Sequence, residues 1–243
     1  MHTNIKNITP ELNDRVVAVA AMLDQIQSQY QPAVLASSLS IEDMVLTDLI
    51  LRCSINIGIF TLDTGRLHLD TLDVISRIED RYKIRIEVIK PSHVEVNEYV
   101  TSSGLNGFYK SIELRQRCCE IRKVIPLRAA LKDKKAWLTG QRRDQSATRQ
   151  LLAPKSFDNV FGLEKFNPLF DWSEQQVWDY IRHFDVPFNK LYEQGYQSIG
   201  CAPCSRPIVE GEAIRAGRWW WEAPETKECG LHIDVNGKVQ KRE

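Results

Sequence analysis

The feature that most constrains the fold is the alternation of apolar segments of two kinds, helical and strand-like, along the first 140 residues. Apolar side chains recur with helical spacing over residues 12–29, and residues 33–37 then form a short apolar segment typical of a buried strand. The same reasoning predicts helices over about 42–52 and up to about residue 82, and strands at 55–62, 84–89 and 136–139. Because strands that alternate with helices form a parallel sheet, we expect an α/β domain.

Polar loops follow three of these strands. Ser37 and Ser38 end the first strand, Asp63-Thr64-Gly65 follows the second, and the stretch 140–149, rich in Arg and Gln, follows the fourth. Ligands of open parallel sheets bind beyond the carboxyl ends of the strands. These loops are therefore the predicted binding region.

The composition changes towards the C-terminus. Ser173 begins a capping box with Gln176, which predicts a helix to about residue 184. From about residue 198 the chain is rich in Gly, Pro, Cys, Arg and Trp, and it ends in a tail rich in Glu and Lys. We expect an α/β domain over residues 1–197 and an irregular segment over 198–243 that folds over the sheet edge.

Bulk charge excludes some classes of function. The 243 residues carry 32 basic and 32 acidic side chains, so composition does not support a general nucleic-acid or membrane binder. The N-terminus has no apolar signal region, and no later run approaches the ~20 apolar residues of a membrane span. These features predict a cytoplasmic protein, in which six cysteines favour metal ligation or catalysis over disulfides.

Four of the cysteines form two close pairs, Cys118-Cys119 and Cys201-x-x-Cys204. A disulfide between sequence neighbours is strained, whereas four thiols match an iron-sulfur cluster or a tetrahedral zinc ion. Zinc sites typically use Cys-x(2–4)-Cys pairs, and adjacent cysteines can reach different irons of a cubane. The spacing favours a 4Fe–4S cluster, with zinc and four inert buried cysteines as the alternatives.

Cys229 lies in the charged tail, where packing gives no reason for a thiol. Lys227 and His232 are near it in the sequence, and cationic neighbours lower a thiol pKa, so Cys229 is a candidate nucleophile. A dispensable tail thiol is the alternative.

Arginines are concentrated near the predicted loops and in the C-terminal segment. Guanidinium groups suit bidentate binding of phosphate or sulfate, and a solvated charged surface is the alternative. The candidates are Arg142, Arg143, Arg149, Arg215 and Arg218.

Several motifs in order closely resemble the assimilatory adenylyl-sulfate (APS) reductases. They span about residues 37–232 and comprise Leu62-Asp-Thr-Gly-Arg66, Cys118-Cys119-x-x-Arg-Lys123, Gly140-x-Arg-Arg-x-Gln-Ser146, Cys201-x-x-Cys204-Ser-Arg-Pro, Arg215-Ala-Gly-Arg218-Trp-Trp-Trp and Glu228-Cys-Gly-Leu-His232. The resemblance implies a Rossmann-like, adenine-nucleotide α-hydrolase-like α/β domain with a mobile C-terminal segment.

The resemblance also assigns roles. Cys118, Cys119, Cys201 and Cys204 would hold a 4Fe–4S cluster, Cys229 would be the nucleophile, and Lys123 would lie between cluster and substrate. The substrate site would comprise Ser37, Ser38, Asp43, Thr64, Gly65, Lys123, Gly140, Arg142, Arg143, Arg149, Arg215, Arg218 and His232. The chain departs from the family at Ser40, where related proteins usually have glycine; side-chain hydroxyls would replace backbone contacts to a phosphate there.

By this resemblance, the expected activity is the reduction of APS to sulfite and AMP by a thioredoxin-like dithiol protein, through S-sulfocysteine, in sulfate assimilation and cysteine biosynthesis. The nearest alternative is a phosphoadenylyl-sulfate (PAPS) reductase, although in the family the four cysteines accompany APS. A more distant alternative is a non-enzymatic iron-sulfur redox sensor or zinc-stapled binding protein. The sequence leaves the oligomeric state open, a homo-oligomer included.

Overall fold

The computed structural model describes residues 9–146 and 149–223. Over these residues the chain forms seven α-helices: α1 (Pro10–Gln29), α2 (Ile41–Arg52), α3 (Leu69–Tyr82), α4 (His93–Ser103), α5 (Ile112–Cys119), α6 (Ile125–Leu131) and α7 (Glu174–Phe184). It also forms six strands: β1 (Ala33–Ser37), β2 (Gly58–Leu62), β3 (Glu87–Ile89), β4 (Ala136–Leu138), β5 (Lys155–Asp158) and β6 (Leu163–Phe166). None of these helices has both the length and the apolar composition of a membrane span.

The strands form one sheet in the order β3-β2-β1-β4-β6-β5. Every pair is parallel except β5 with β6, which is antiparallel. The predicted parallel α/β fold is therefore confirmed. Since β1 lies between β2 and β4, the strand order changes direction at β1, and such a switch point opens a crevice at the carboxyl ends of the strands.

The sheet is buried on both faces, which explains why β1 is apolar along its length. Leu35 belongs to a large core formed with residues of α1, α2, α3 and α7. Its neighbour Val34 points to the opposite face and packs in a second core with Phe60, Leu127 and Trp137. Successive strand residues alternate between faces, so a strand covered by helices on both sides needs apolar residues at every position.

A buried carboxylate joins three helices of the larger core. Asp48 on α2 accepts hydrogen bonds from Tyr82 of α3 and Tyr180 of α7, both at 2.6 Å. The guanidinium of Arg52 donates to the same carboxylate through two nitrogens, at 2.9 and 3.0 Å. Asp48 is fully buried, and these four donors compensate for the loss of its hydration.

The structure differs from the sequence prediction between residues 90 and 166. Helices α4 to α6 and strands β5 and β6 were not predicted. Helix α5 lacks an apolar stripe because its two buried residues are Arg115 and Cys119. Strand β5 is a four-residue edge strand with one buried position, so its pattern is too short to detect.

Two predicted strands have different bounds in the structure. Strands β2 and β3 are shorter than predicted because residues 55–57 and 84–86 lie in connections.

Residues 198–223 have the irregular structure predicted for them. They contain one short 3₁₀ helix, Ala202–Cys204, and isolated bridges between Leu67 and Cys201 and between Ser205 and Arg218. The first bridge places the segment beside the loop after β2, and the second joins two parts of the segment itself. The predicted division at residue 197 stays a prediction.

Candidate active site

A cavity of about 260 Å³ lies at the carboxyl ends of β1, β2 and β4, where the switch point predicts it. Most of the predicted substrate residues line it: Ser37, Ser38, Asp43, Thr64, Lys123, Gly140, Arg142, Arg149, Arg215 and Arg218. Gly65 and Arg143 do not line this cavity. Cys229 and His232 lie outside the described residues. The binding roles of all these residues stay predictions.

Asp43, in the first turn of α2, connects two walls of the cavity. Its Oδ2 accepts hydrogen bonds from the amide and the hydroxyl of Ser38, at 2.7 and 2.6 Å. Its Oδ1 accepts from the amide of Gly140 at 2.8 Å. Burial raises the pKa of Asp43 to about 6, while the hydrogen bonds from Ser38 and Gly140 oppose that rise. The carboxylate is therefore ionised at neutral pH and holds the loops after β1 and β4 together.

Gly140 is required by this contact. A Cβ at position 140 would lie 2.6 Å from Oδ1 of Asp43 and 2.7 Å from Cβ of Glu42. Both distances are shorter than any normal contact, so a side chain here would push α2 away from the loop. The glycine permits the close approach of the loop to the helix.

The loop after β1 adopts its conformation without a glycine at Ser40. Ser40 has φ −74°, and the left-handed position falls on the buried Leu39, with φ +63°. The hydroxyl oxygens of Ser38 and Ser40 lie 3.1 Å apart. Ser37, Ser38 and Ser40 all line the cavity, and the replacement of backbone contacts to a phosphate by their hydroxyls stays a prediction.

The five predicted arginines fall into distinct environments. Arg142 is buried and pairs with Glu42 at 2.9 Å, so its charge is already neutralised. Arg143 lies over the ring of Phe170, 4.7 Å from the centroid. Arg149, Arg215 and Arg218 line the cavity, and Arg218 donates to the carbonyl of Ile199 at 3.1 Å.

Sequence reasoning missed several cavity residues. One wall is apolar and consists of Phe60, Leu62, Leu127 and Trp137, which suits the face of a nucleobase. Glu42 was missed as well, because its partner Arg142 is 100 residues away in the sequence. Phe60 and Leu62 occupy alternate positions of β2 and therefore point to the same face of the sheet. This alternation is the sequence signal that could have identified them as residues of one wall.

The four predicted ligand cysteines border a second, small cavity. Cys118, Cys119, Cys201 and Cys204 line it together with Arg115, Arg122 and Lys123. Among the described side chains, no group of three or more His, Cys, Asp or Glu converges closely enough to hold a metal ion as it stands. Burial, and after it the neighbouring Cys201, raise the pKa of Cys204 to about 12, while Lys123 and Arg218 act in the opposite direction.

The two cavities share a wall. Thr64 lines the larger cavity, and its hydroxyl lies 3.2 Å from the sulfur of Cys201. Its carbonyl accepts a hydrogen bond from Arg122 at 2.7 Å. Lys123 lines both cavities, and its place between cluster and substrate stays a prediction. Arg122 and Lys123 belong to a π-helical turn, Glu120–Val124, and turns of this kind are frequent at functional sites.

The fold defines an α/β protein with a cavity at the switch point of a parallel sheet and a cysteine-lined cavity next to it. Residues 32–207 match the phosphoadenosine phosphosulfate reductase domain. The chain belongs to this family.

Curated relatives agree with this assignment. The chain is 53% identical to adenosine 5'-phosphosulfate reductase of Burkholderia cepacia over 226 residues, which cover 93% of this chain and 90% of the relative. It is 52% identical to the protein of the same name from Allochromatium vinosum over 224 residues, 92% of this chain and 88% of the relative.

Solved structures show the same fold. Phosphoadenylyl-sulfate reductase from Candida auris superposes with a TM-score of 0.67 at 23% identity, over 83% of this chain and 98% of that chain. FMN adenylyltransferase from Candida glabrata superposes with a TM-score of 0.59 at 12% identity, over 93% of this chain and 81% of that chain. These similarities extend to the architecture alone.

We expect the stability contribution of Asp43 to depend on pH in a defined direction. Because burial raises its folded-state pKa to about 6, above the ordinary value of 3.8, the folded protein binds this proton more tightly. The contribution of Asp43 to the free energy of unfolding is therefore greatest near pH 4 and falls as pH rises through 6. The total fall is up to about 3 kcal/mol. Urea unfolding of wild type and Asp43→Asn at pH 4.5 and pH 7 measures it. A wild-type advantage over the variant that grows with pH would contradict the assignment.

Proposed function

We propose that this protein reduces adenylyl sulfate to sulfite and AMP. The observation that carries the proposal is the wall shared by a nucleotide-sized cavity and a cavity lined by four cysteines, connected through Thr64 and Lys123. The name of the curated relatives, at about half identity over nine tenths of the chain, supports APS as the substrate.

The four cysteines fit a 4Fe–4S cluster by the chemistry of their donors. Such a cluster takes four thiolates, and two residue pairs from separate segments supply four sulfurs around one cavity. Arg122 and Lys123 border the same cavity and would offset the negative charge of the thiolates. When bound, the cluster would supply a fixed charge beside the substrate, and Lys123 would lie between that charge and the phosphosulfate.

The reaction would begin at Cys229. Its thiolate attacks the sulfur of the sulfate group, the bond between that sulfur and the bridging oxygen breaks, and AMP leaves with the electron pair. The product is an S-sulfocysteine at Cys229. Neutralisation of the phosphosulfate charge by cationic side chains lining the cavity, Lys123, Arg149, Arg215 and Arg218, would lower the barrier.

An external dithiol would complete the cycle. One thiolate of a thioredoxin-like protein attacks the sulfur of Cys229, and sulfite leaves with the electrons of the sulfur–sulfur bond. The second thiol of the partner then resolves the mixed disulfide and releases the Cys229 thiolate. The partner is oxidised by two electrons and sulfur is reduced by two. Cys229 has no second cysteine near it in the tail, which is why the reductant must be external. This chemistry supplies sulfite and would serve sulfate assimilation.

The first prediction concerns the choice between APS and PAPS, since the matching family domain is named for phosphoadenosine phosphosulfate. We expect APS to be preferred in kcat/KM by at least about tenfold, or about 1.4 kcal/mol of discrimination in the transition state. Parallel sulfite assays with a reduced thioredoxin measure both constants. Equal use of the two substrates would show that the cysteine quartet does not accompany APS specificity here.

The second prediction concerns the cluster. Anaerobically purified protein should be brown and should contain about four irons and four inorganic sulfides per chain. Cys→Ser at position 118, 119, 201 or 204 should remove the colour, whereas Cys53→Ser, outside the small cavity, is the matched control and should keep it. A colourless protein with one zinc per chain would contradict the assignment.

The third prediction concerns Cys229. Wild-type protein incubated with APS and no dithiol should gain one sulfonate on the peptide containing Cys229 and release at most one AMP per chain. Cys229→Ser should do neither, because a serine hydroxyl is far less ionised than a thiol, and it should keep its iron. Peptide mass spectrometry and iron analysis measure both. A sulfonate on another cysteine would reassign the nucleophile.

A further inference from the structure

Residues 218–222, near the end of the described chain, contact both cysteine pairs. The amide of Trp219 donates a hydrogen bond to the carbonyl of Cys204 at 3.2 Å, and the buried indole ring packs on Cys119. The amide of Glu222 in turn donates to the carbonyl of Trp219 at 2.9 Å. Residues 218–222 therefore contact helix α5 and the Cys201–Cys204 turn at the same time.

A buried ion pair fixes the end of this segment. The guanidinium of Arg115 donates to both carboxylate oxygens of Glu222, at 2.9 and 2.8 Å. The side chain of Arg115 is 0% exposed and that of Glu222 is 3% exposed. Arg115 also lies over the ring of Trp219, 4.8 Å from its centroid. It precedes Cys118 by three residues on the same helix.

Such a pair determines position more than stability. Removing two charges from water costs about as much as their attraction returns, so a buried pair can often be replaced by apolar residues of similar size without loss of stability. The planar guanidinium and the carboxylate nevertheless permit only one mutual orientation when bound through two hydrogen bonds. The pair thus specifies where Glu222 lies relative to α5.

That position limits where Cys229 can be. Cys229 is the seventh residue after Glu222, and seven residues of extended chain span at most about 25 Å. Glu222 is held beside the small cavity, which shares a wall with the large one. The segment that carries Cys229 therefore begins at a fixed position, Glu222, close to the large cavity.

We propose that Arg115 and Glu222 are positioning residues for the nucleophile. They fasten the start of the C-terminal segment to the helix that carries Cys118 and Cys119, so that the cysteine site and the origin of the tail keep one geometry. This role rests on the proposed function of Cys229. Neither residue itself lines the nucleotide cavity, whereas Arg218 and Trp219 of the segment they fasten do, so the pair should act more strongly on the covalent step than on nucleotide binding.

Two variants and one control test the proposal. Arg115→Met with Glu222→Leu removes both charges without leaving one of them buried and unpaired. Glu222→Asp keeps the charge but shortens the side chain by one methylene. Arg117→Met is the matched control, because Arg117 lies on the same helix in an exposed pair with Glu120, at 3.1 Å.

Three measurements are made on the iron-containing protein. The first is the rate at which APS, without dithiol, adds a sulfonate to Cys229. The second is the Kd for AMP by calorimetry, and the third is hydrogen exchange at the amides of Trp219 and Glu222. We expect both variants to slow sulfonation by roughly tenfold to a hundredfold, the effect of a small misplacement. Exchange should rise, AMP affinity should fall by much less than the rate of sulfonation, and the control should match wild type.

The outcomes distinguish the positioning role of Arg115 and Glu222 from the proposed function of Cys229. A double variant that is sulfonated at the wild-type rate would overturn the positioning role, whatever its exchange. If the double variant does not accumulate as folded protein, Glu222→Asp decides by the same rate. A loss of AMP affinity equal to the loss of rate would show a general structural defect and would also overturn the role. Wild-type protein that binds AMP but gains no sulfonate would instead reject the proposed function, and the positioning role with it.

Discussion

The cavity depends on one carboxylate. Asp43 accepts hydrogen bonds from Ser38 on one side of the switch point and from Gly140 on the other. Its neighbour Glu42 holds Arg142 in the same loop as Gly140. The first turn of α2 therefore fixes two of the three loops that surround the cavity. Asp48, one turn and a half further along the same helix, anchors that helix to α3 and α7, so the position of the site is set by the core.

Much of the fold could be predicted because β1 to β4 are local apolar patterns with polar loops at their ends. The loops that line the cavity followed from the same reasoning, since carboxyl ends of neighbouring parallel strands meet at one edge. The region of α4 to α6 could not be predicted in this way. Its helix α5 buries a charged residue, Arg115, whose partner Glu222 is 107 residues away. No local periodicity reports a contact of that kind.

The arginines of the site also have contacts that the sequence does not predict, because their partners are far away in the chain. Their side-chain chemistry is identical, and the sequence assigned all five to an anion. The structure separates them by partners that lie far away in the chain: Glu42 neutralises Arg142, and Phe170 stacks on Arg143. Long-range partners decide which cations face a ligand, whereas the residue type predicts only that cations are present. The role of the four cysteines stays a prediction, and the structure shows only that they border one small cavity.

The contacts of Thr64 determine which substitutions the two cavities can accept independently. Its backbone carbonyl and its hydroxyl contact Arg122 and Cys201, and its side chain also lines the larger cavity. Gly200, next to Cys201, lies so close to Arg218 that any side chain there would displace the guanidinium. A substitution at Cys201 or Gly200 would therefore change the lining of the larger cavity as well as the cysteine site.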